Sequence, residues 1–363
     1  DPTPLSNPLQ DNKYNNVTDL KNNLFGSFSA TLKPFKWLSF SSTNTLTLTN
    51  VNTNDYLDSR TYSGNHSRNE MSNGVLKVDD ERSWTFLTSN ILRLQHSFGE
   101  HNLSGLVGQE WYERHTRSSH IEMYDQMIAG ERNVGGFSKQ GDKTNPAVIP
   151  TGAERESGSF SVFSEVNYNY AGKYMASVSF RTDGSTNFGK DNRYGTFYSF
   201  SGSWLVSREA FMARQDVVSN LKLRMSYGTS GKEAGMDYLN YTLYSTSNTT
   251  FDYYRDHPAY QSAYGATINQ LGNDQLSWET AYNLNIGVDV ALLNNRISLS
   301  ADWYKRRNSD LIMSTTLPAA NGVGRQYQNV GEMENRGVEL VLNTHTVKGE
   351  EFNWFTTLTF SYN

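Results

Sequence analysis

The stretch from Glu279 to Arg307 constrains this chain most. Tyr282, Leu284, Ile286, Val288 and Val290 share one parity, and Asn283, Asn285, Gly287 and Asp289 share the other. Further on, Ile297, Leu299, Ala301 and Trp303 alternate with Ser298, Ser300 and Asp302. Side chains on a strand point to opposite faces with period two, so each arm is a strand with one apolar and one polar face. Asn294-Asn295 between them tolerates the positive φ of a tight turn, which predicts a hairpin. Strands of soluble domains usually run about 5 or 6 residues, whereas a tilted strand crossing a bilayer needs about 9 to 11. Both arms reach the longer value. Tyr282 and Trp303 stand at the ends away from the turn, where an aromatic girdle would meet lipid headgroups. A long hairpin of a soluble β-sandwich would look the same, so repetition of the pattern has to decide.

The pattern repeats about a dozen times. Shared parities mark further strands at Leu24–Leu32, Leu38–Leu48, Trp84–Leu94, Leu103–Trp111, Phe160–Tyr170, Tyr174–Phe180, Tyr198–Val206, Leu221–Tyr227, Val338–Leu342 and Phe352–Phe360. Mostly short turns, near residues 34, 99, 172, 293 and 348, alternate with long polar stretches over about 50–81, 113–158, 183–194, 230–277 and 309–333. The 207–220 connection is of middling length and predicts a helical turn at Arg208-Glu-Ala-Phe-Met. Short turns at one end and long loops at the other are the habit of outer-membrane barrels. Arg93, Glu110, Glu165, Arg181, Lys222, Arg224, Asp289, Asp302 and Glu339 all take the parity opposite to the apolar set. On a lipid face Arg or Lys at the midplane costs about 2–4 kcal/mol, a penalty that an aqueous lumen removes. Asn90 breaks the apolar parity of its strand.

Composition agrees. No apolar run approaches the 18 or more residues of a membrane helix, and a hydropathy scan would class the chain as soluble, as alternation makes it do for barrels. Aromatic residues make up 13%, with 22 Tyr and 7 Trp. The formal net charge of −5 and the lack of a basic run give no sign of nucleic-acid binding. With no cysteine, thiol catalysis, thiolate metal sites and disulfides are excluded from this chain. The chain opens on Asp1-Pro-Thr-Pro without a signal-peptide pattern and stops after a strand at Ser361-Tyr-Asn. An open sheet cannot sit in lipid with unpaired edges. The expectation is therefore an all-β antiparallel transmembrane barrel, of which these are about 12 strands of a larger one.

Several stretches resemble the SusC/RagA-type TonB-dependent outer-membrane transporters of Bacteroidetes-type bacteria. They are Arg181-Thr-Asp-Gly-Ser-Thr-Asn-Phe-Gly, Asn192-Arg-Tyr-Gly-Thr-Phe-Tyr-Ser, Gly202-Ser-Trp, Leu221-Lys-Leu-Arg-Met-Ser-Tyr-Gly, Leu276-Ser-Trp-Glu-Thr and Asn329-Val-Gly-Glu-Met-Glu-Asn-Arg-Gly-Val-Glu-Leu. They stand in the family's order over about 150–343; residues 1–112 fit by pattern only. The resemblance implies a 22-stranded barrel with a plugged lumen, residues 1–363 being part of the barrel domain without plug, TonB box or terminal strands. It implies an outer-membrane importer of oligosaccharides or peptides, with a SusD-like surface lipoprotein as lid and the TonB complex acting through the plug. A passive porin is the alternative, and a soluble or surface β-rich adhesin a third.

No chemistry-bearing constellation competes with transport. The seven His, at 66, 96, 101, 115, 120, 257 and 345, lack metal-ligand spacing. Asp183-Gly-Ser-Thr-Asn alternates oxygen ligands like a calcium loop but lacks the later bidentate Glu, and Asp-Gly is a plain turn signal. No Ser-His-Asp arrangement stands out. No enzyme activity, cofactor or metal is expected. The 230–277 stretch is dense in tyrosine, whose apolar ring and polar tip suit sugar stacking and protein interfaces. Tyr238, Tyr253, Tyr254, Tyr260 and Tyr264 are the expected contacts to substrate or partner, against a plainer role in packing loops over the rim.

Overall fold

Ile286 stands opposite Trp303 on one side and Met225 on the other, so three strands share one apolar face at that level. A computed structural model describes residues 7–65, 73–140, 151–245, 267–318, 320 and 322–363. Its strands in chain order are β1 (Asn16–Phe35), β2 (Leu38–Leu57), β3 (Val75–Phe98), β4 (His101–Gln126), β5 (Phe137–Gln140), β6 (Thr151–Tyr170), β7 (Tyr174–Ser185) and β8 (Tyr194–Leu205). There follow β9 (Val218–Lys232), β10 (Leu243–Ser245), β11 (Thr267–Gln270), β12 (Glu279–Leu292), β13 (Ile297–Thr316), β14 (Arg325–Lys348) and β15 (Asn353–Tyr362). Twelve of them pair antiparallel along one path, β1-β2-β3-β4-β6-β7-β8-β9-β12-β13-β14-β15. These are the twelve strands expected. The short β5 pairs beside β4, and β10 and β11 form a separate two-stranded ribbon. Among the described residues no pairing joins the two ends of the path.

The register carries the face assignment across the sheet, because residues directly opposite on an antiparallel pair lie on one face. Val178, Phe200 and Tyr227 follow one another over β7, β8 and β9, and Val288, Ala301 and Leu340 over β12, β13 and β14. Lys222, Asp289 and Ser300 run along the opposite face. Leu24, Phe28, Val107, Phe200, Met225 and Ile286 are all exposed. An exposed apolar band of this kind marks a lipid surface. A wall wetted on one face and oiled on the other has little interior, and two small clusters of buried apolar residues lie beyond the band.

Short turns close one end. They lie at Lys36-Trp37, Gly99-Glu100, Ala171-Gly172-Lys173, 293–296 and 349–352. Leu293, Asn294 and Asn295 hold φ of 54°, 58° and 62°, and Ala171 and Gly172 hold 52° and 64°. An aromatic ladder marks this end. Ring centroids step from Phe98 to His101 (4.9 Å), His101 to Tyr170 (4.8 Å), Tyr170 to Tyr174 (6.3 Å) and Tyr174 to Trp204 (6.3 Å). Phe35 and Trp37 stack at 5.3 Å in the first turn. The 206–217 connection sits just below. The expected helical turn is two separate 3-10 turns there, Val206–Arg208 and Ala210–Met212, broken at Glu209. Glu209 is taken up by the girdle: it accepts from Tyr174 Oη at 2.7 Å and Trp204 Nε1 at 3.0 Å, and meets Lys173 Nζ at 3.3 Å. A continuous helical turn would not leave its carboxylate at that point.

The long connections are shorter than the alternation suggests. β2 runs on to Leu57, β3 starts at Val75, β4 reaches Gln126, β6 starts at Thr151, β13 reaches Thr316 and β14 starts at Arg325. Above the membrane both faces meet water, so the period-two apolar signal ends while the backbone ladder continues. Two helices lie at this end, α1 (Pro8–Tyr14), capped by Asn7 with Pro8 at its start, and α2 (Tyr62–Asn65).

Candidate functional site

The polar face of the sheet is the inner wall, and its charges are organised in pairs. Arg224 donates to both oxygens of Asp289 (2.7 and 3.0 Å) and to Asp302 Oδ2 (3.1 Å). Ser300 Oγ donates to Asp289 Oδ1 at 2.7 Å. Gly287 lets the guanidinium cross β12: a Cβ there would come within 2.4 Å of Asp302 Oδ1 and 2.9 Å of Arg224 Cζ. A bidentate guanidinium–carboxylate pair is among the stronger polar contacts a protein makes. On β7, Arg181 binds Asp183 Oδ1 (2.6 Å), Ser161 Oγ (3.0 Å) and Glu110 Oε2 (3.3 Å), and lies 5.2 Å from the Phe163 ring centroid. That Asp183 is thus held by an arginine, in a strand rather than in a cation loop.

Higher on the same face, at the mouth, a cavity of about 390 Å³ opens. One side is strand: Arg114 and Tyr112 on β4, and Arg155 on β6. Arg114 stands opposite Ser157, two residues from Arg155 on the same face. Diagonal neighbours of this kind lie roughly 7–8 Å apart, within reach of one bound group. Among the described residues neither arginine makes an ion pair. The other side is loop and carries Glu233 and Asp237. Glu233 accepts a 2.5 Å hydrogen bond from Ser185 Oγ. The cavity thus carries two arginines beside Glu81 of β3 on the strand side and carboxylates alone on the loop side. The sequence reading did not single out these residues. Arg114 continues the inward parity of Glu110 past the apolar band, and that parity was the signal that could have found it.

The roof of the mouth is a small core. Phe188, Leu239 and Leu276 are buried with Ala234, and Trp278, Ile312 and Tyr327 pack against them. Trp278 lies 5.2 Å from Phe188 and 5.8 Å from Phe197, ring to ring, and its Nε1 donates to Arg193 O at 3.0 Å. Asn329 Oδ1 accepts from Ser277 N, and its Nδ2 donates to Ser277 O and Asp310 O (2.9, 2.9 and 2.7 Å). Glu279 Oε1 accepts from Ile312 N at 2.9 Å. Gly189 admits the chain at 274, since a Cβ would lie 2.4 Å from Asp274 O. Phe188, Leu276, Trp278 and Asn329 come from three of the stretches that carried the family resemblance, and they meet here.

Of the expected contacts, Tyr238 is half-buried with φ 63°, and its hydroxyl accepts from Glu156 N at 2.7 Å. It ties the 233–241 segment to the top of β6. Tyr253, Tyr254, Tyr260 and Tyr264 lie outside the described residues. His115 and His120, expected in a loop, are on β4 and meet carboxylates: His115 Nε2 lies 2.9 Å from Glu154 and His120 Nδ1 2.6 Å from Asp79.

A second loop anchor sits above β2. Asp58 is fully buried and receives Arg60 Nε and Nη2 at 2.8 Å each, Arg60 N at 2.9 Å and Tyr56 Oη at 2.7 Å. The guanidinium holds the Asp58 carboxyl well below the usual carboxylate range, against the opposing effect of burial. Burial pushes the Tyr56 phenol up.

A family model described as TonB dependent receptor-like, beta-barrel, matches residues 1–363. TonB-dependent receptor P26 of Formosa agariphila is 31% identical over 368 residues, covering 99% of this chain and 35% of that protein. TonB-dependent receptor SusC of Bacteroides thetaiotaomicron is 33% identical over 205 residues, 56% of this chain and 20% of that protein. The solved RagAB peptide transporter superposes with a TM-score of 0.82 at 24% identity over 96% of this chain and 37% of that chain, a likeness of fold. The chain thus spans about a third of the length of P26.

Proposed function

The chain belongs to the TonB-dependent receptor-like β-barrel family of the outer membrane, and from that membership we propose that the intact protein imports an oligosaccharide or a peptide through this wall. A SusD-like surface lipoprotein would close the mouth, and the TonB complex would supply energy through a plug. The observation that carries the reading is the roofed cavity at the mouth, with Arg114, Arg155 and Tyr112 facing Glu233 and Asp237 across it. Groups of both signs on an inward face suit a polar ligand held briefly on its way in, and binding groups concentrate where loops sit on a rigid scaffold. The likeness to SusC, a TonB-dependent receptor, and in fold to RagAB, a peptide transporter, supports the reading of nutrient import. No covalent chemistry is proposed for this chain. Its part is the wall, the polar lumen surface and the outer loops.

The test is uptake of fluorescent oligosaccharide and peptide mixtures by cells carrying the full-length protein, with and without a working TonB complex. Import of one mixture that stops when TonB is inactivated is the expected result. Import that continues unchanged without TonB would make the barrel a passive pore.

A further inference from the structure

Charge on the inner wall is paired in one place and bare in another. Arg224 and Arg181 each hold two carboxylates. Beside the first short turn, by contrast, a recess of about 300 Å³ is lined by Lys33, Lys36 and Arg93. None of the three makes an ion pair among the described residues, and no carboxylate lines the recess. Cations gathered in this way repel one another and attract an anion. Gln95, Ser104 and Asn167 add amides and a hydroxyl to the lining.

The same three residues also line a longer groove of about 580 Å³, so recess and groove are continuous. The register sets Ser104, Asn167, Ser177, Ser201, Ser226 and Asn285 opposite one another in turn, one row across β4, β6, β7, β8, β9 and β12. The four serine hydroxyls of that row have no hydrogen-bond partner among the described residues. On β1 and β2 the hydroxyls close on each other instead: Ser27 with Thr45, Ser29 with Thr43 and Thr31 with Ser41, at 3.2, 3.0 and 3.1 Å. At the far end of the groove Lys222 stands opposite Asp289, beside the doubly held Arg224. Small, uncharged and unengaged groups leave room and offer weak contacts at many points, which a solute needs if it is to bind and still move on.

We propose that this groove is the imported solute's route along the wall, and that the recess at its end binds an acidic group, so that the solute carries a carboxylate, as an acidic oligosaccharide or an acidic peptide does. The proposal rests on the reading of the protein as an importer and narrows its substrate. A guanidinium grips a carboxylate by two parallel hydrogen bonds, and the lysines add point charges around it. A neutral solute would take the water from three cations and give nothing back. A moving solute fits better than a fixed protein segment because the recess runs on into a groove without charge.

The test uses the full-length protein in detergent, with any cysteine outside this chain replaced and Ser104→Cys introduced in the recess. A neutral, water-soluble maleimide should label this thiol. Trigalacturonate or triglutamate should slow the labelling about tenfold, the effect of roughly one charge-assisted hydrogen bond. The carboxyl-reduced trisaccharide and triglutamine should not slow it. Which acid protects identifies the source of the carboxylate. Arg93→Gln with Lys33→Gln should remove the protection and Arg93→Lys should keep it, with normal heat-modifiable migration showing that each variant folds. A thiol beyond reach in the folded protein would place a segment of the protein itself in the recess and overturn the proposal. Equal protection by acid and neutral compounds, or protection indifferent to the two glutamines, would overturn it as well. TonB-dependent uptake together with no protection by either acid would overturn it while leaving the importer reading standing.

Discussion

Asn329 and Ser277 exchange two hydrogen bonds of 2.9 Å, amide carbonyl to backbone N–H and amide N–H to backbone carbonyl, 52 residues apart in sequence. The pair fastens the start of the Leu276-Ser-Trp stretch to β14, and the third bond of Asn329, to Asp310 O, fastens β13 to the same point. Asn329→Ala would strand three backbone groups. The expected loss is about 1–3 kcal/mol of local stability for each group that finds no water. Limited proteolysis of the folded full-length protein should speed up within 233–278, while the barrel's melting temperature stays unchanged. Equal cleavage rates would show that the roof does not depend on this residue.

The two faces of β12 should respond oppositely to charge. Ile286→Arg places a cation in the lipid band and should lower insertion stability by about 2–4 kcal/mol. Asn285→Arg, one residue away on the inner wall, should fold as the unaltered protein does. Folding yields into lipid vesicles measure both, and equal yields would refute the assignment of faces.

Acid should loosen the anchor above β2 late. Asp58 has its pKa lowered in the folded state by Arg60, so its contribution is full above the unfolded carboxylate value of about 3.9 and fades as pH falls from there through the folded value. The opening constant of the amides at 58–65, which is the exchange rate divided by its intrinsic pH-dependent rate, should therefore be flat from neutral pH down to about 4 and rise only below it. Asp58→Asn should exchange faster at neutral pH and lose that acid-dependent rise. A rise beginning near neutrality would point to another group.

The tyrosines of the 230–277 region admit a direct test. Replacing Tyr253, Tyr254 and Tyr260 together by Ala should weaken uptake or lid binding, by on the order of 1 kcal/mol for each ring that stacks on a ligand. The barrel's heat resistance should not change. Unaltered uptake and unaltered lid affinity would assign these rings to rim packing.

The twelve strands were legible because lipid on one side and water on the other write a two-residue period into Tyr282–Val290 and its counterparts. That writing stops where lipid stops. Residues 113–126 and 309–316 therefore read as loop although the ladder runs on through them. The roof was half legible. The resemblance singled out Phe188, Leu276, Trp278 and Asn329 as separate stretches, but no period links residues on different loops, so their meeting was invisible. Arg114 could be reached only by extending the inward parity of Glu110 past the apolar band, and only the register that sets it diagonally to Arg155 makes the two a pair. Asn90 was visible as an exception to its strand, and the register sets it between Ser42 of β2 and Gln109 of β4.

The aromatic ladder from Phe98 to Trp204 acts as a waterline from which neighbouring strands can be measured. β4 rises 26 residues from His101, whereas β7 rises 12 from Tyr174. The difference of fourteen residues is roughly 46 Å of strand at about 3.3 Å per residue. After a tilt of about 40° it still leaves roughly 35 Å of height. The rim is thus a parapet with a low gap at β7 and β8, and the Phe188 roof sits in that gap. On such a rim the proposed lipoprotein lid would find its seat on the tall strands and swing towards the low ones.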